Sequence, residues 1–261
     1  MQGAMTTPVT VPPPVGLGRD TRKRAAARAR LAETLWDAQG QRCLPTDAEL
    51  VAALEGCDPR DVWWVCEASS AGPVYLLPTR EWIAALAEYV RALAPRSVLE
   101  VGAGDGFLAA CLAAAVPEVP VVATDSFAWR RPAARMSEAD RAAYPAVAFA
   151  GISARCPVEK LAAVTAVERH RPDLVIVCWP PPVALVERVI RAPCGVVLEI
   201  GVEGDVTGDD ARTWRYEKDF LDGPLQDLAL CRLDARPGEG RATRVTAYYG
   251  RLHPEHGRTD V

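Results

Sequence analysis

The chain has 261 residues, 49% of them apolar and 25% charged, with a formal net charge of -4. This is enough apolar sequence for one substantial α/β domain plus a small accessory element, and it excludes wholesale disorder. The acidic balance gives no support to a broad nucleic-acid-binding face, and no apolar run reaches the roughly 18 residues of a membrane span.

Residues 1–18, MQGAMTTPVTVPPPVGLG, lack the long apolar segment of a signal peptide and read as an extended, Pro-rich arm. By elimination, a cytoplasmic protein is expected. The eight cysteines (Cys43, Cys57, Cys66, Cys111, Cys156, Cys178, Cys194 and Cys231) form no CxxC pair. Several fall inside apolar segments, so buried free thiols are a better reading than a disulfide scaffold or a metal cluster. His170, His253 and His256 are the only histidines. No metal site is expected.

Asp20 to Ala38 is Ala-, Arg- and Leu-rich and predicts a helix, with Leu31, Leu35 and Trp36 as its apolar stripe. TDAELVAALEG predicts a second, where Thr46 and Glu49 have the spacing of a capping box. Trp63, Trp64 and Val74 to Leu77 are expected to fix this region to the main domain. Residues 19–79 thus read as an N-terminal helical brace, or in part as a lid over an active site. Arg80 to Ala94 predicts an amphipathic helix ended by Pro95, with Trp82 and Tyr89 either in the core or beside a pocket.

The main signal begins at Ser97. In SVLEVGAGDG a short strand ends near Val101, and Gly102, Gly104 and Gly106 lead into the helix FLAACLAAAV. Glycines allow a tight turn and close approach of a ligand, and a following helix directs its free N–H groups towards the loop. VPVVATDSF then gives a second strand ending at Asp125, where a carboxylate can accept hydrogen bonds from both hydroxyls of a ribose. A helix cap or loop residue is the plainer alternative for Asp125.

Residues 126–146 contain Trp129, Arg130 and Arg131, which either edge a pocket or remain solvated. VAFAGISARC is expected to supply the third strand, with Ser153 near an adenine, and VEKLAAVTAVERH the next helix. The fourth strand, Leu174 to Val177, runs into Cys178-Trp179 and three prolines, which cannot continue a central strand. That turn falls at the carboxyl edge of the sheet, where ligands of such folds bind. GVVLEIG is the fifth strand, followed by the acidic loop VEGDVTGDDARTW. Its Glu203, Asp205, Asp209 and Asp210, with Glu199 before it, lack the ordered spacing of a calcium loop. DLALCRLDAR and RVTAYYGRL predict a finishing antiparallel hairpin, and residues 253–261 an exposed polar tail.

Over residues 80–252 the chain resembles the class I S-adenosylmethionine (SAM)-dependent methyltransferases. VLEVGAGDG is similar to their glycine-rich loop, and Asp125 stands at their acidic ribose-binding position. The resemblance implies a Rossmann-like α/β fold with a seven-stranded, mostly parallel sheet and an antiparallel last strand, beside the N-terminal helical extension. It implies SAM as cofactor and S-adenosylhomocysteine as product. Glu100, Gly102, Ala103 and Gly104 would surround the cofactor's amino-acid portion, Asp125 would hold the ribose, and Ser126, Ser153 and Cys178 would complete the cofactor contacts.

CWPPP departs from the NPPY or DPPY form of many amino-group methyltransferases. Cys178 replaces the Asn or Asp, and Pro182 takes the aromatic position. Within the superfamily the chain is closest to poorly characterised members with a CWPP or SWPP loop and a later GE...TGDD-like segment, here EIGVEGDVTGDD. Methyl transfer to a small molecule, in a specialised biosynthetic route, is the expected function. Cys178, Trp179 and Glu203 would orient the acceptor or remove its proton. A non-catalytic SAM-binding regulator or scaffold, and a SAM enzyme with a different reaction, are the alternatives. The sequence shows no clear nucleic-acid module and no membrane partner; it leaves a homodimer open.

Overall fold

The computed structural model describes residues 21–67, 73–127, 157–202, 206–234 and 243–257. They divide into two units. The first holds 21–67, 73–80 and 231–234; the second holds 81–127, 157–202, 206–230 and 243–257.

In the first unit, α1 (Thr21–Leu35), α2 (Asp47–Leu54) and α3 (Pro59–Glu67) follow one another. The predicted capping box at the start of α2 is present: Thr46 Oγ1 accepts from the Glu49 N–H, and the Glu49 carboxylate accepts from the Thr46 N–H. Leu31, Leu35, Leu50, Val62 and Val65 are buried. Asp61 is only 2% exposed and carries a charge, so its burial needs partners. Arg24 Nε reaches it at 3.0 Å and Arg28 Nη1 at 2.9 Å, which ties α1 to α3. Trp63 and Trp64 lie in α3.

The second unit is built on a sheet. Its elements run α4 (Arg80–Leu93), β1 (Val98–Val101), α5 (Phe107–Ala115), β2 (Val121–Asp125), β3 (Val158–Lys160), α6 (Ala163–His170), β4 (Leu174–Cys178), α7 (Leu185–Ile190), β5 (Val196–Val202), α8 (Asp210–Thr213), β6 (Lys218–Phe220), α9 (Pro224–Asp227) and β7 (Thr243–Tyr249). The strand order is β3-β2-β1-β4-β5-β7-β6. β1 to β5 pair in parallel, and β7 runs antiparallel to both β5 and β6. This is a Rossmann-like sheet with a reversed last strand, as the resemblance implies.

β1, β4 and β5 are near-continuous apolar runs because helices cover both faces of a parallel sheet. Leu99, Val101, Val175, Val177 and Val197 on one face pack with Ala166 and Val167 of α6 and with Val186, Val189 and Ile190 of α7. Trp82 is a core residue here: it is fully buried and its Nε1 donates to the Leu225 carbonyl at 2.9 Å.

Three local expectations need correction. Strand β3 is Val158–Lys160, where a helix was expected to begin; that helix, α6, starts at Ala163. The expected third strand at residues 147–156 lies outside the described residues. The strand that pairs with β7 is Lys218–Phe220, whereas Pro224–Asp227, overlapping the expected DLALCRLDAR strand, is a short helix. Finally, residues 253–257 are tied down. The His253 ring stacks on Tyr249 with centroids 4.1 Å apart, and His256 Nδ1 lies 2.9 Å from the Tyr249 carbonyl.

No helix among the described residues is long and apolar enough to cross a membrane. Among the described cysteines, Cys57, Cys66, Cys194 and Cys231 are buried thiols.

Candidate functional site

The chain leaves β1 to build β2 and β3 on one side, then returns to build β4 and β5 on the other. That reversal opens a crevice outside the carboxyl ends of β1 and β4. Register fixes what stands there. Val101 pairs with Thr124 and with Val177, so Gly102, Asp125 and Cys178 occupy the same level on three adjacent strands. Three segments far apart in sequence meet at one edge.

From Gly102 the chain makes a turn that L side chains resist: Gly102, Gly104 and Gly106 have φ of +70°, +58° and +74°. A Cβ at Gly102 would meet nothing within 4 Å, so glycine serves the backbone angle there and open space lies beside it. The loop is fastened to β2. The Ala103 N–H donates to the Thr124 carbonyl at 3.0 Å, and the Gly104 N–H donates to Asp125 Oδ2 at 3.0 Å. The other carboxylate oxygen of Asp125 accepts from the Phe127 N–H at 2.5 Å. Asp125, 6% exposed, therefore latches the glycine loop and also shapes the exit from its own strand.

Glu100 is turned into the protein. It is 3% exposed, and its Oε2 accepts from the Ala109 N–H at 2.9 Å. This satisfies one of the free amides in the first turn of α5 and fixes the helix against the loop from beneath. Ala103 is buried, while Ser126 is exposed beside Asp125.

On the far side of the crevice, Cys178 ends β4 half-buried. Trp179 has φ of +54° and Phe127, beyond β2, has +51°. Such angles are costly for bulky residues and persist only where neighbours over-determine them. At Phe127 the hydrogen bond to Asp125 does so; at Trp179 its N–H donates to the Ile200 carbonyl at 2.7 Å. The signal for Phe127 in the sequence was only its place two residues after the acidic strand end.

Next to this turn lies a buried polar group. Glu199, in the middle of β5, is 4% exposed, and burial pushes its carboxyl up to about 7, with Arg244 and the Tyr248 hydroxyl pulling the other way and Asp210 adding to the rise. The loop after β5 folds back over it. Thr207 Oγ1 accepts from the Val202 N–H at 2.7 Å, and the Gly208 N–H donates to the Pro180 carbonyl at 3.1 Å. Tyr248 carries no pattern that marks it in sequence, whereas Thr207 and Gly208 fall in the TGDD-like segment and Glu199 stands out as a lone charge in an apolar strand. Ser153, Glu203, Asp205, Trp129, Arg130 and Arg131 lie outside the described residues. No group of three or more metal-ligating side chains occurs among the described residues.

No protein-family model and no curated protein matches the chain. Among solved structures it is similar to the methyltransferase domain of bacterial CtHen1, with a TM-score of 0.40 and 12% identity over 65% of this chain and 98% of that one. The 23S rRNA methyltransferase ErmE gives 0.37 and 20%, over 67% and 69%. An O-methyltransferase from Thermotoga maritima gives 0.36 and 13%, over 66% of each chain. The Rossmann-like assignment rests on this chain's own strand order and pairing directions, with the glycine loop at the point where that order reverses.

Proposed function

We propose that the chain binds SAM along the carboxyl edge of β1, β2 and β4 and transfers its methyl group to a small molecule. The observation that carries this reading is the latch between Asp125 and the glycine loop at the reversal of strand order. A carboxylate offers about four acceptor positions, and the two backbone amides on Asp125 leave room for a pair of ribose hydroxyls. The open space beside Gly102 suits the amino-acid end of the cofactor, with Ala103 and Gly104 lining the same bend.

SAM supplies an electrophilic methyl carbon on a sulfonium, which an acceptor lone pair takes as S-adenosylhomocysteine departs. The chain's own task is orientation. Asp125 fixes the sugar, Glu100 holds α5 so that the loop keeps its shape, and Ser126 flanks the nucleoside. The Cys178–Trp179 turn walls the acceptor side and excludes water, which lets proximity supply much of the rate. Glu203 is the candidate to take the acceptor's proton.

Calorimetric titration with SAM and with NADH tests the cofactor assignment. Selective SAM binding is expected, and selective binding of NADH overturns it. Incubation with candidate acceptors should add one methyl mass to the product and release S-adenosylhomocysteine.

A further inference from the structure

We propose that Glu199 is a positioning residue for this reaction: its buried carboxyl is the seat for Gly208, and through Gly208 it fixes the Trp179–Pro180 turn at the acceptor side. The inference rests on the methyl-transfer reading for its purpose, but its geometry stands apart from the cofactor site.

Gly208 sits directly on the carboxyl. It has φ of +67°, and a Cβ there would lie 2.4 Å from Glu199 Oε1 and 3.8 Å from Pro180 Cγ. Only glycine lets the loop close this far. Once seated, its N–H holds the Pro180 carbonyl, while β5 itself holds the Trp179 N–H through Ile200. The strained Trp179 is thus gripped on both sides by elements that Glu199 lies beneath. Thr207 adds to the grip, since a Cβ on Gly201 would fall 2.1 Å from its hydroxyl.

Burial is the main influence on the Glu199 carboxyl, which it pushes up to about 7. Thr213 Oγ1 donates to the Asp209 carbonyl at 3.2 Å, so it accepts from the Tyr248 hydroxyl at 3.3 Å. Tyr248 also faces Glu199, where its hydroxyl favours the carboxylate against the larger effect of burial. Tyr248 and Thr213 lead from beside Glu199 to Asp209, at the start of α8 and next to Gly208. The charged groups that face it are Arg244 on β7, which is paired with Asp210 of α8 at 2.8 Å. Val177 on β4, Gly208 and Pro180 bring no charge. Ionisation would put a buried carboxylate beneath the loop, facing a guanidinium already paired with Asp210, and admitting water to solvate it would unseat Gly208.

The test is hydrogen exchange at the Trp179 and Gly208 amides, corrected for intrinsic rates, from about pH 5.5 to about pH 8.5, which brackets the carboxyl's position near 7. In the wild-type chain, protection should fall by roughly tenfold or more across this range. Glu199→Gln, a neutral isostere, should keep the low-pH protection throughout, and Glu199→Ala should lose it throughout. Wild-type protection independent of pH, or a Gln variant as unprotected as the Ala variant, overturns the proposal. SAM titration of the same samples reports on the cofactor reading separately, because a failure to bind SAM leaves the exchange pattern to be judged on its own.

Discussion

Asp125 latches the glycine loop in this structure and is proposed to hold a ribose, and replacing it separates the two roles. The carboxylate accepts the Gly104 and Phe127 amides at 3.0 and 2.5 Å while only 6% exposed. Hydrogen bonds to a charged group contribute about 1.5–3 kcal/mol each. The amides are near the surface, because Gly102 and Ser126 are exposed, so water recovers part of the loss. Asp125→Ala should therefore destabilise the second unit by roughly 2–4 kcal/mol. Asp125→Asn keeps one acceptor oxygen but turns an NH2 towards the other amide, and should cost roughly half as much. The ribose contacts are a separate loss of about 3 kcal/mol, or about a hundredfold in SAM affinity, in either variant. Urea denaturation without ligand measures the first effect and calorimetric titration of the folded variants the second. SAM should also raise the wild-type midpoint far more than that of the variants. A folded Asp125→Asn chain that binds SAM like the wild type would refute the ribose assignment, and an Asp125→Ala chain of undiminished stability would refute the latch.

Glu199 should leave a signature in the pH dependence of stability. Its folded pKa lies above the unfolded value of 4.5, at about 7, so its contribution is complete below pH 4.5 and is lost as pH rises to about 7. The loss is about 3 kcal/mol, and the difference between wild-type and Glu199→Gln denaturation curves should show that slope; parallel curves would contradict it. Asp61 acts with the opposite sign. Burial alone would raise its carboxyl, but Arg24, Arg28 and the Asp58 N–H outweigh that and hold it below the ordinary aspartate value. Its stabilisation is present above the unfolded pKa and lost as pH falls through the folded one. Asp61→Asn should cost roughly 3 kcal/mol in urea, since it leaves two partly buried guanidiniums facing a neutral group, and a change below about 1 kcal/mol would count against the pairing. Gly208→Ala should destabilise by roughly 1–3 kcal/mol and speed exchange of the residue 208 amide that donates to the Pro180 carbonyl, as a methyl cannot fit against Glu199. Unchanged stability in that variant would mean the loop does not rest where the structure has it.

The amino-acid sequence by itself determined the strands that are buried on both faces and the loop between the first of them and its helix. β1, β4 and β5 need near-continuous apolar runs to be covered by helices, and the turn after β1 needs glycine for its backbone angles, so both leave marks that can be read locally. The capping box at Thr46 was legible for the same reason: it is completed within four residues.

Only the tertiary structure decided the sheet's edges and the Cys178–Trp179 side of the crevice. β3 and β6 are three residues long and polar, because an edge strand has one neighbour and faces water, so nothing in VEK or KDF distinguishes them from a loop. The apolar run around Leu228 looked like a strand, yet β7 takes Lys218–Phe220 as its partner. Asp125 was marked in sequence as a ligand residue, but its hold on Gly104 depends on β1 and β2 lying side by side. Likewise Glu199, Tyr248, Thr213 and Gly208 become one network only when β5, β7 and the returning loop pack together. Hydrogen bonds and close contacts between distant segments carry no local pattern; they exist once burial has removed the water that would otherwise satisfy each group separately.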